Sequence, residues 1–224
     1  MQRVTEPEVM DSPQEAIEYD AMDFLEVNTA FAESAIALCP ETARILDAGT
    51  GTARIPIIIC QRRPQWQIIG IDLAHSMLEI GRKNVEQAAL QQQIKLELVD
   101  AKQMPYPDAH FDMIISNSII HHLPNPLPFL QEIKRILKPN GAIFIRDLLR
   151  PDTSEIAEDI VKKYAADCNE HQQMLFRDSL HAAFTLDEIK ELMQQALLEN
   201  IHIYQSSDRH WTAERTGIPA KESI

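Results

Sequence analysis

From Arg44 onward, short apolar runs ending in Gly or Asp alternate with longer segments of helical period. This alternation is the pattern of a parallel sheet whose strands are linked by helices, because each element can bury its apolar face only against the next. Residues 44–48, 66–72, 94–100, 111–117 and 141–148 read as strands, most of them too apolar to be half-exposed. Between them, residues 52–62, 75–90 and 126–137 carry apolar side chains near a 3.6-residue spacing. Pro64 and the Pro139-Asn140-Gly141 turn end two of these crossover helices. Residues 201–204 and 210–215 add two antiparallel edge strands. The expected fold class is therefore α/β: a doubly wound, mostly parallel seven-stranded sheet with helices on both faces and an antiparallel last hairpin strand.

Two regions fall outside the alternation. Residues 21–39 form an amphipathic helix before the first strand, ended by Pro40, and follow a polar leader expected to fray. Residues 1–40 are thus an N-terminal capping region for the sheet or for a ligand. Residues 151–184 are helical in composition but carry Tyr164, His171, Phe176 and His181, more polar aromatics than a packing helix needs, and are expected to be an inserted lid. Thr185 and Glu188 then stand at capping-box spacing and open another helix. One domain spanning residues 1–224 accommodates all of these.

Charge and cysteine usage narrow the function. The chain of 224 residues has a net charge of −13, which disfavours a nucleic-acid partner because phosphate backbones are held by clustered Lys and Arg. Cys39, Cys60 and Cys168 have no paired spacing, so neither a disulfide framework nor a metal site is indicated, and a reducing cytoplasm fits. Residues 1–18 carry five carboxylates and no apolar core, and no apolar run long enough for membrane insertion follows.

The stretch Ile45-Leu46-Asp47-Ala48-Gly49-Thr50-Gly51-Thr52-Ala53-Arg54 runs from a strand through two close glycines into a helix. Glycine permits the sharp turn and the close approach of a ligand, and ligands of doubly wound sheets lie beyond the carboxyl ends of the strands. A dinucleotide-binding G-x-G-x-x-G turn would place a third glycine at position 54, where Arg54 stands, which argues against a dehydrogenase. Asp72 closes the second strand and Asp100 the third. An acid at the first position can accept from both ribose hydroxyls. Asp100, with the Ala101 N–H, can read the donor and acceptor order of adenine. Leu73, Met77 and Met104 supply apolar surface for the ring.

Together these residues resemble a class I S-adenosylmethionine-dependent methyltransferase of the small-molecule type, similar to ubiquinone and menaquinone methyltransferases. The matching motifs are Asp47 to Thr52, Asp72, Asp100-Ala101, Phe111-Asp112 through Asn117, and the strand after Pro139-Asn140-Gly141. The resemblance implies a Rossmann-like fold, S-adenosylmethionine as cofactor and S-adenosylhomocysteine as product. It also implies Tyr19 near the methionine end of the cofactor, and Ser116 or Asn117 against its methionine moiety.

Such an enzyme must hold an acceptor lone pair in line with the S–CH₃ bond, an orientation that can supply about 7–11 kcal/mol. Where the acceptor arrives protonated, a general base adds about 10²- to 10⁴-fold. His121, in Ser116-Asn117-Ser118-Ile119-Ile120-His121-His122-Leu123, is the candidate catalytic and substrate-contacting residue, with His122 expected to face the sheet and fix the loop. Arg150 is a candidate for a substrate carboxylate or a surface ion pair, and Tyr164 for the acceptor pocket. Asp208-Arg209-His210-Trp211 suggests a packed edge hairpin without chemistry. The function indicated is methyl transfer to an O, N, S or C nucleophile of a small molecule. The alternatives are methylation of a protein or RNA partner and a non-catalytic cofactor-binding scaffold.

Overall fold

The structure is a computed structural model that describes residues 1–6 and 11–217. Its strands are β1 (Arg44–Ala48), β2 (Gln67–Asp72), β3 (Ile94–Leu98), β4 (Phe111–Asn117), β5 (Leu137–Leu148), β6 (His202–Gln205) and β7 (His210–Arg215). They form one sheet in the order β3-β2-β1-β4-β5-β7-β6. The first five are parallel, and β7 pairs antiparallel with both β5 and β6. The expectation that both C-terminal strands are edges is corrected here: β7 is interior, with Trp211 and Ala213 fully buried, and of the two only β6 is an edge.

Because the strands are covered on both faces, successive residues alternate between two cores. Ile45, Met113, Ile115 and Phe144 face one core, and Leu46, Ile114, Ile143 and Ile145 face the other. The first core is covered by α2 (Leu25–Ile36), α3 (Arg54–Arg62) and α4 (His75–Gln87). Here Phe31 meets Phe144 edge-on with ring centroids 4.8 Å apart. The second is covered by α5 (Leu127–Ile136) and α8 (Leu186–Gln195), where the Thr185 and Glu188 capping box forms as its spacing predicts. Strand β5 starts earlier than expected. Leu137 already pairs with Phe111, the next registered pair is Met113 with Ala142, and residues 138–141 bulge between them.

Two further expectations change. The polar leader does not fray in its described part. Ser12 caps an additional helix, α1 (Pro13–Asp20), which packs on α4, and Asp11 accepts from the Ser76 N–H at the start of α4 (2.8 Å). The predicted helix over 21–39 is shorter, with residues 21–24 linking α1 to α2. The segment 151–184 forms α6 (Ser154–Tyr164) and α7 (Glu170–Ala182), packed on each other around Ala157, Ile160, Val161 and Leu180. Among the described residues, no helix is long and apolar enough to cross a membrane.

Candidate active site

The strand order reverses between β1 and β4, and a cleft opens at the carboxyl ends of the strands there. Its geometry begins with the turn after β1. The Gly49 and Thr50 N–H groups both donate to the Ile71 carbonyl (2.9 Å each), which fastens the turn to β2. Gly49 has φ +77°, and a Cβ on it would stand 1.9 Å from Ile119 Cγ2, so only glycine lets the loop after β4 close over the turn. At Gly51, a Cβ would meet Tyr19 Cε1 at 3.8 Å, which leaves Tyr19 as the roof of the turn.

Asp72 is held at the mouth of β2. Its Oδ2 accepts from Gly51 N–H (2.8 Å) and its Oδ1 from Ala74 N–H (2.9 Å), so the carboxylate is fixed while each oxygen keeps a further lone pair. Burial raises its pKa, against the backbone N–H groups that lower it. The same cleft, of about 180 Å³, is lined by Leu73, Met77, Val99, Asp100 and Ala101 on one side and by Ser118, Ile119, His122 and Leu123 on the other. Asp100 is a partly exposed carboxylate whose Oδ1 accepts from the Lys102 N–H (2.8 Å) and lies 3.0 Å from the Lys102 ammonium.

A second cavity, of about 490 Å³, adjoins the first through Tyr19 and Gly49, and Asp47 lies in its wall. Asp47 is 2% exposed and forms no ion pair among the described residues. Burial pushes its carboxyl up to about 7, with the neighbouring Asp72 charge adding to the effect. Arg54, at the position where a dinucleotide site would have glycine, has a different task. Its guanidinium grips Asp20 at the end of α1 (2.8 Å), and Asn84 donates to both Asp20 (3.0 Å) and the Thr52 carbonyl (3.0 Å). Helix α1 and Tyr19 are thereby latched to the glycine turn.

The structure brings Tyr19, Gly49, Gly51, Asp72, Leu73, Met77, Asp100 and Ala101 to one cleft, with Asp47 beside it. It does not bring Ser116, Asn117 or Met104 to the lining. Ser116 Oγ donates to the Ala48 carbonyl (2.9 Å) and stitches β4 to β1, and Met104 is buried in the core under α5. Sequence reasoning missed Val99, Lys102, Ser118, Ile119 and Leu123, which follow the ends of β3 and β4.

The placements expected for the two histidines are exchanged. The 3₁₀ turn of residues 120–122 buries His121, 4% exposed, and turns His122 to the cleft. His121 Nδ1 lies 2.5 Å from Asp147 Oδ1, and Asp147 also accepts from the Ile120 and Leu148 N–H groups (2.6 Å each). Burial opposes a charge on His121, but the Asp147 carboxylate outweighs it and raises the imidazole pKa; Asp147 is correspondingly held below the usual carboxylate range.

Arg150 takes the ion-pair alternative, with its partner toward the interior, and Tyr164 is corrected. Arg150 is 8% exposed and turned inward, donating to the Ala183 carbonyl (3.2 Å) and to Glu188 (2.7 Å), so it ties the end of β5 to α8. The Tyr164 hydroxyl donates to Asp208 (2.7 Å) and its ring lies under the Arg209 guanidinium (3.6 Å), away from the cleft lining. These contacts give the Asp208-Arg209 pair a packing role against α6.

A family model described as a methyltransferase domain matches residues 41–216. The chain belongs to the methyltransferase domain family. The demethylmenaquinone methyltransferase of Deinococcus radiodurans is 33% identical over 120 residues, covering 54% of this chain and 49% of that protein. The chain thus spans about half the length of the curated relatives it matches. A structure from Methanococcus maripaludis, titled a putative S-adenosyl-L-methionine-dependent methyltransferase, superimposes with a TM-score of 0.72 at 18% identity and covers 99% of this chain and 100% of that one. Phosphoethanolamine N-methyltransferase 2 of Haemonchus contortus, solved in complex with S-adenosyl-L-methionine, gives 0.64 at 18% identity, over 81% of this chain and 39% of that one.

The cleft has features that fit S-adenosyl-L-methionine, the molecule bound in the Haemonchus contortus structure. At Gly51 the turn leaves the place of a Cβ open beneath Tyr19. Asp72 presents two fixed acceptors, and the buried Asp47 carboxylate without a basic partner calls for a cationic ligand group.

Proposed function

We propose that this cleft serves methyl transfer from S-adenosylmethionine to a nucleophile on a small molecule. When bound, the cofactor supplies a methyl group activated by its sulfonium. Asp72 accepts from the ribose hydroxyls. Asp100 and the Ala101 N–H address the adenine edge between Leu73 and Met77. Asp47 and Tyr19 attend to the methionine end, with Asp47 facing its positive charge. His122 stands on the acceptor side of the cleft and is the group placed to take any proton leaving the acceptor.

The observation that carries the small-molecule reading is the bracing of the histidine turn on that side by residues 1–6. The Arg3 guanidinium donates to the carbonyls of His121 (3.1 Å), Leu123 (2.9 Å), Pro124 (3.2 Å) and Ala182 (2.6 Å), and the Val4 N–H donates to the His181 carbonyl (3.0 Å). A strap fixed to the back of the histidine turn makes that side of the cleft rigid, which favours a small acceptor over a folded macromolecule. The net charge of −13 also opposes RNA. The decisive experiment incubates the protein with methyl-labelled cofactor and a cell extract. Label in the low-molecular-mass fraction is expected, and label confined to RNA or protein overturns the reading. Cofactor binding without a labelled product in any fraction would favour a scaffold, and binding of NAD without S-adenosylhomocysteine would remove the cofactor assignment.

A further inference from the structure

Behind His122, three potential ligand atoms converge from distant parts of the chain. Glu6 Oε1 lies 2.9 Å from His122 Nδ1 and 3.5 Å from His121 Nε2, and all three atoms lie within 4.8 Å of one another. For a tetrahedral Zn²⁺ with ligand bonds of about 2.0–2.1 Å, neighbouring donor atoms stand about 3.3 Å apart, a value that the two measured separations bracket.

The orientation of each group is set from outside the cluster. Asp147, 1% exposed and anchored by two N–H groups, lies at 2.5 Å from His121 Nδ1. With the Nδ1 proton directed to Asp147, loss of the Nε2 proton to an entering cation leaves the Nε2 lone pair aimed at the space beside Glu6, the arrangement in which a carboxylate prepares a histidine to bind a metal. Glu6 Oε2 is occupied by the Ser179 hydroxyl (3.2 Å), which leaves Oε1 for the histidines. Glu6 Oε1 and His122 Nδ1 approach closely but not in the geometry of a hydrogen bond, and both are buried without a hydrogen-bond partner among the described residues. Three acceptor atoms facing each other in a buried space are repulsive unless a proton or a cation lies between them.

Other charges bear on the same spot. Arg3 and Arg150 oppose an added cation, while Asp147, Glu6 and Glu188 favour it. The carboxylates outnumber the guanidiniums there, so a divalent ion does not enter a positive field.

We infer that Glu6, His121 and His122 form a binding site for a divalent transition-metal ion of the zinc class, supported by Asp147 behind His121. Two imidazoles and one carboxylate suit Zn²⁺ and Co²⁺ better than Mg²⁺ or Ca²⁺, which prefer all-oxygen sites. Three protein ligands leave a fourth position for water or for an acceptor hydroxyl or thiol. That last role rests on the methyl-transfer reading, whereas metal binding itself does not. Because Glu6 supplies one ligand, the ion also pins the N-terminal strap to the histidine turn.

The test titrates the chelator-stripped full chain with Co²⁺ and with Zn²⁺ against a chromophoric chelator. One equivalent of Co²⁺ is expected to bind with the intense visible absorption of a tetrahedral site and to be displaced by one equivalent of Zn²⁺. Glu6→Gln and, separately, His122→Gln should each weaken binding at least about 10- to 100-fold. Binding of S-adenosylhomocysteine by the Glu6→Gln protein reports that the fold is intact and that the cofactor reading stands apart from the metal. If Glu6→Gln fails to fold, the partly exposed His122→Gln carries the test. No stoichiometric binding by the unsubstituted chain, or binding by both variants as tight as by the unsubstituted chain, overturns the site.

Discussion

The two halves of the cleft are built differently. On the cofactor side, all contributing residues but Tyr19 and Met77 sit at or just beyond a strand end, and neighbouring strands place Asp47, Asp72 and Asp100 side by side. On the opposite side, the wall of Ser118, Ile119, His122 and Leu123 is backed by residues 1–6 and α7, held by contacts between residues far apart in sequence. The first half follows from the sheet. The second depends on how loops and a terminus settle on one another, and it is the half that decides which acceptor fits.

The sharpest way to break this contrast is to remove a carboxylate from the strand-end half. Asp72→Ala deletes a fixed, partly buried acceptor for two ligand hydroxyls. Hydrogen bonds to a charged group contribute about 1.5–3 kcal/mol each, so S-adenosylhomocysteine affinity is expected to fall at least about 100-fold by calorimetry. An unchanged affinity would mean that the ribose lies elsewhere and that strand ends do not define this half.

Asp47 tests the same half through pH. Its folded pKa of about 7 lies above the ordinary carboxylate value, so between about pH 4 and 7 the folded state holds a proton that the unfolded chain has released. This contribution to stability is complete below about pH 4, is lost as pH rises through 7, and is flat beyond. Asp47→Asn removes the slope. Denaturant unfolding of the cofactor-free protein should show the variant gaining on the wild type by about 2–3 kcal/mol between pH 5 and pH 8. A constant difference across that range would place a neutralising partner beside Asp47.

Arg150 belongs to neither half, although its position after β5 suggested a substrate contact. Removal of its charge by Arg150→Met should lower stability by about 2 kcal/mol, a fall of roughly 4–8 °C in Tm, because the Ala183 carbonyl loses its donor and Glu188 its partner. The half-exposed Glu188 limits the loss. Acceptor KM is expected to stay put, and a large rise in KM at constant Tm would return Arg150 to the acceptor wall.

These residues also explain how far the sequence could be read. Apolar runs and their terminal acids are local, so the five parallel strands, the glycine turn and Asp72 were visible without coordinates. Helix α1 was missed because it is short and weakly periodic, yet Ser12, Pro13 and Glu15 stand in the order of a capped helix start with proline at its first position. The exchange of His121 and His122 was not legible, because a single 3₁₀ turn decides which of two adjacent rings faces the cleft. Glu6 was hidden for a different reason. Its partners lie in a turn over a hundred residues away, and no spacing rule links a free N-terminal carboxylate to a His-His pair. Arg150 was misplaced because position after a strand end does not say whether a long side chain turns toward the cleft or back onto α8.

The smallest effect is expected at Tyr164, where the substitution can be made almost atom-specific. Tyr164→Phe keeps the ring under Arg209 at 3.6 Å, so the cation–π contact survives, and removes only the hydroxyl that donates to Asp208. Lys163 still pairs with Asp208 at 2.7 Å, and the whole group is solvent-exposed, so stability should change by less than about 0.5 kcal/mol. Turnover and acceptor KM should match the wild type within error. A several-fold rise in KM at unchanged stability would instead mean that α6 swings over the cleft during the reaction, and that the acceptor half extends beyond the strap and the histidine turn.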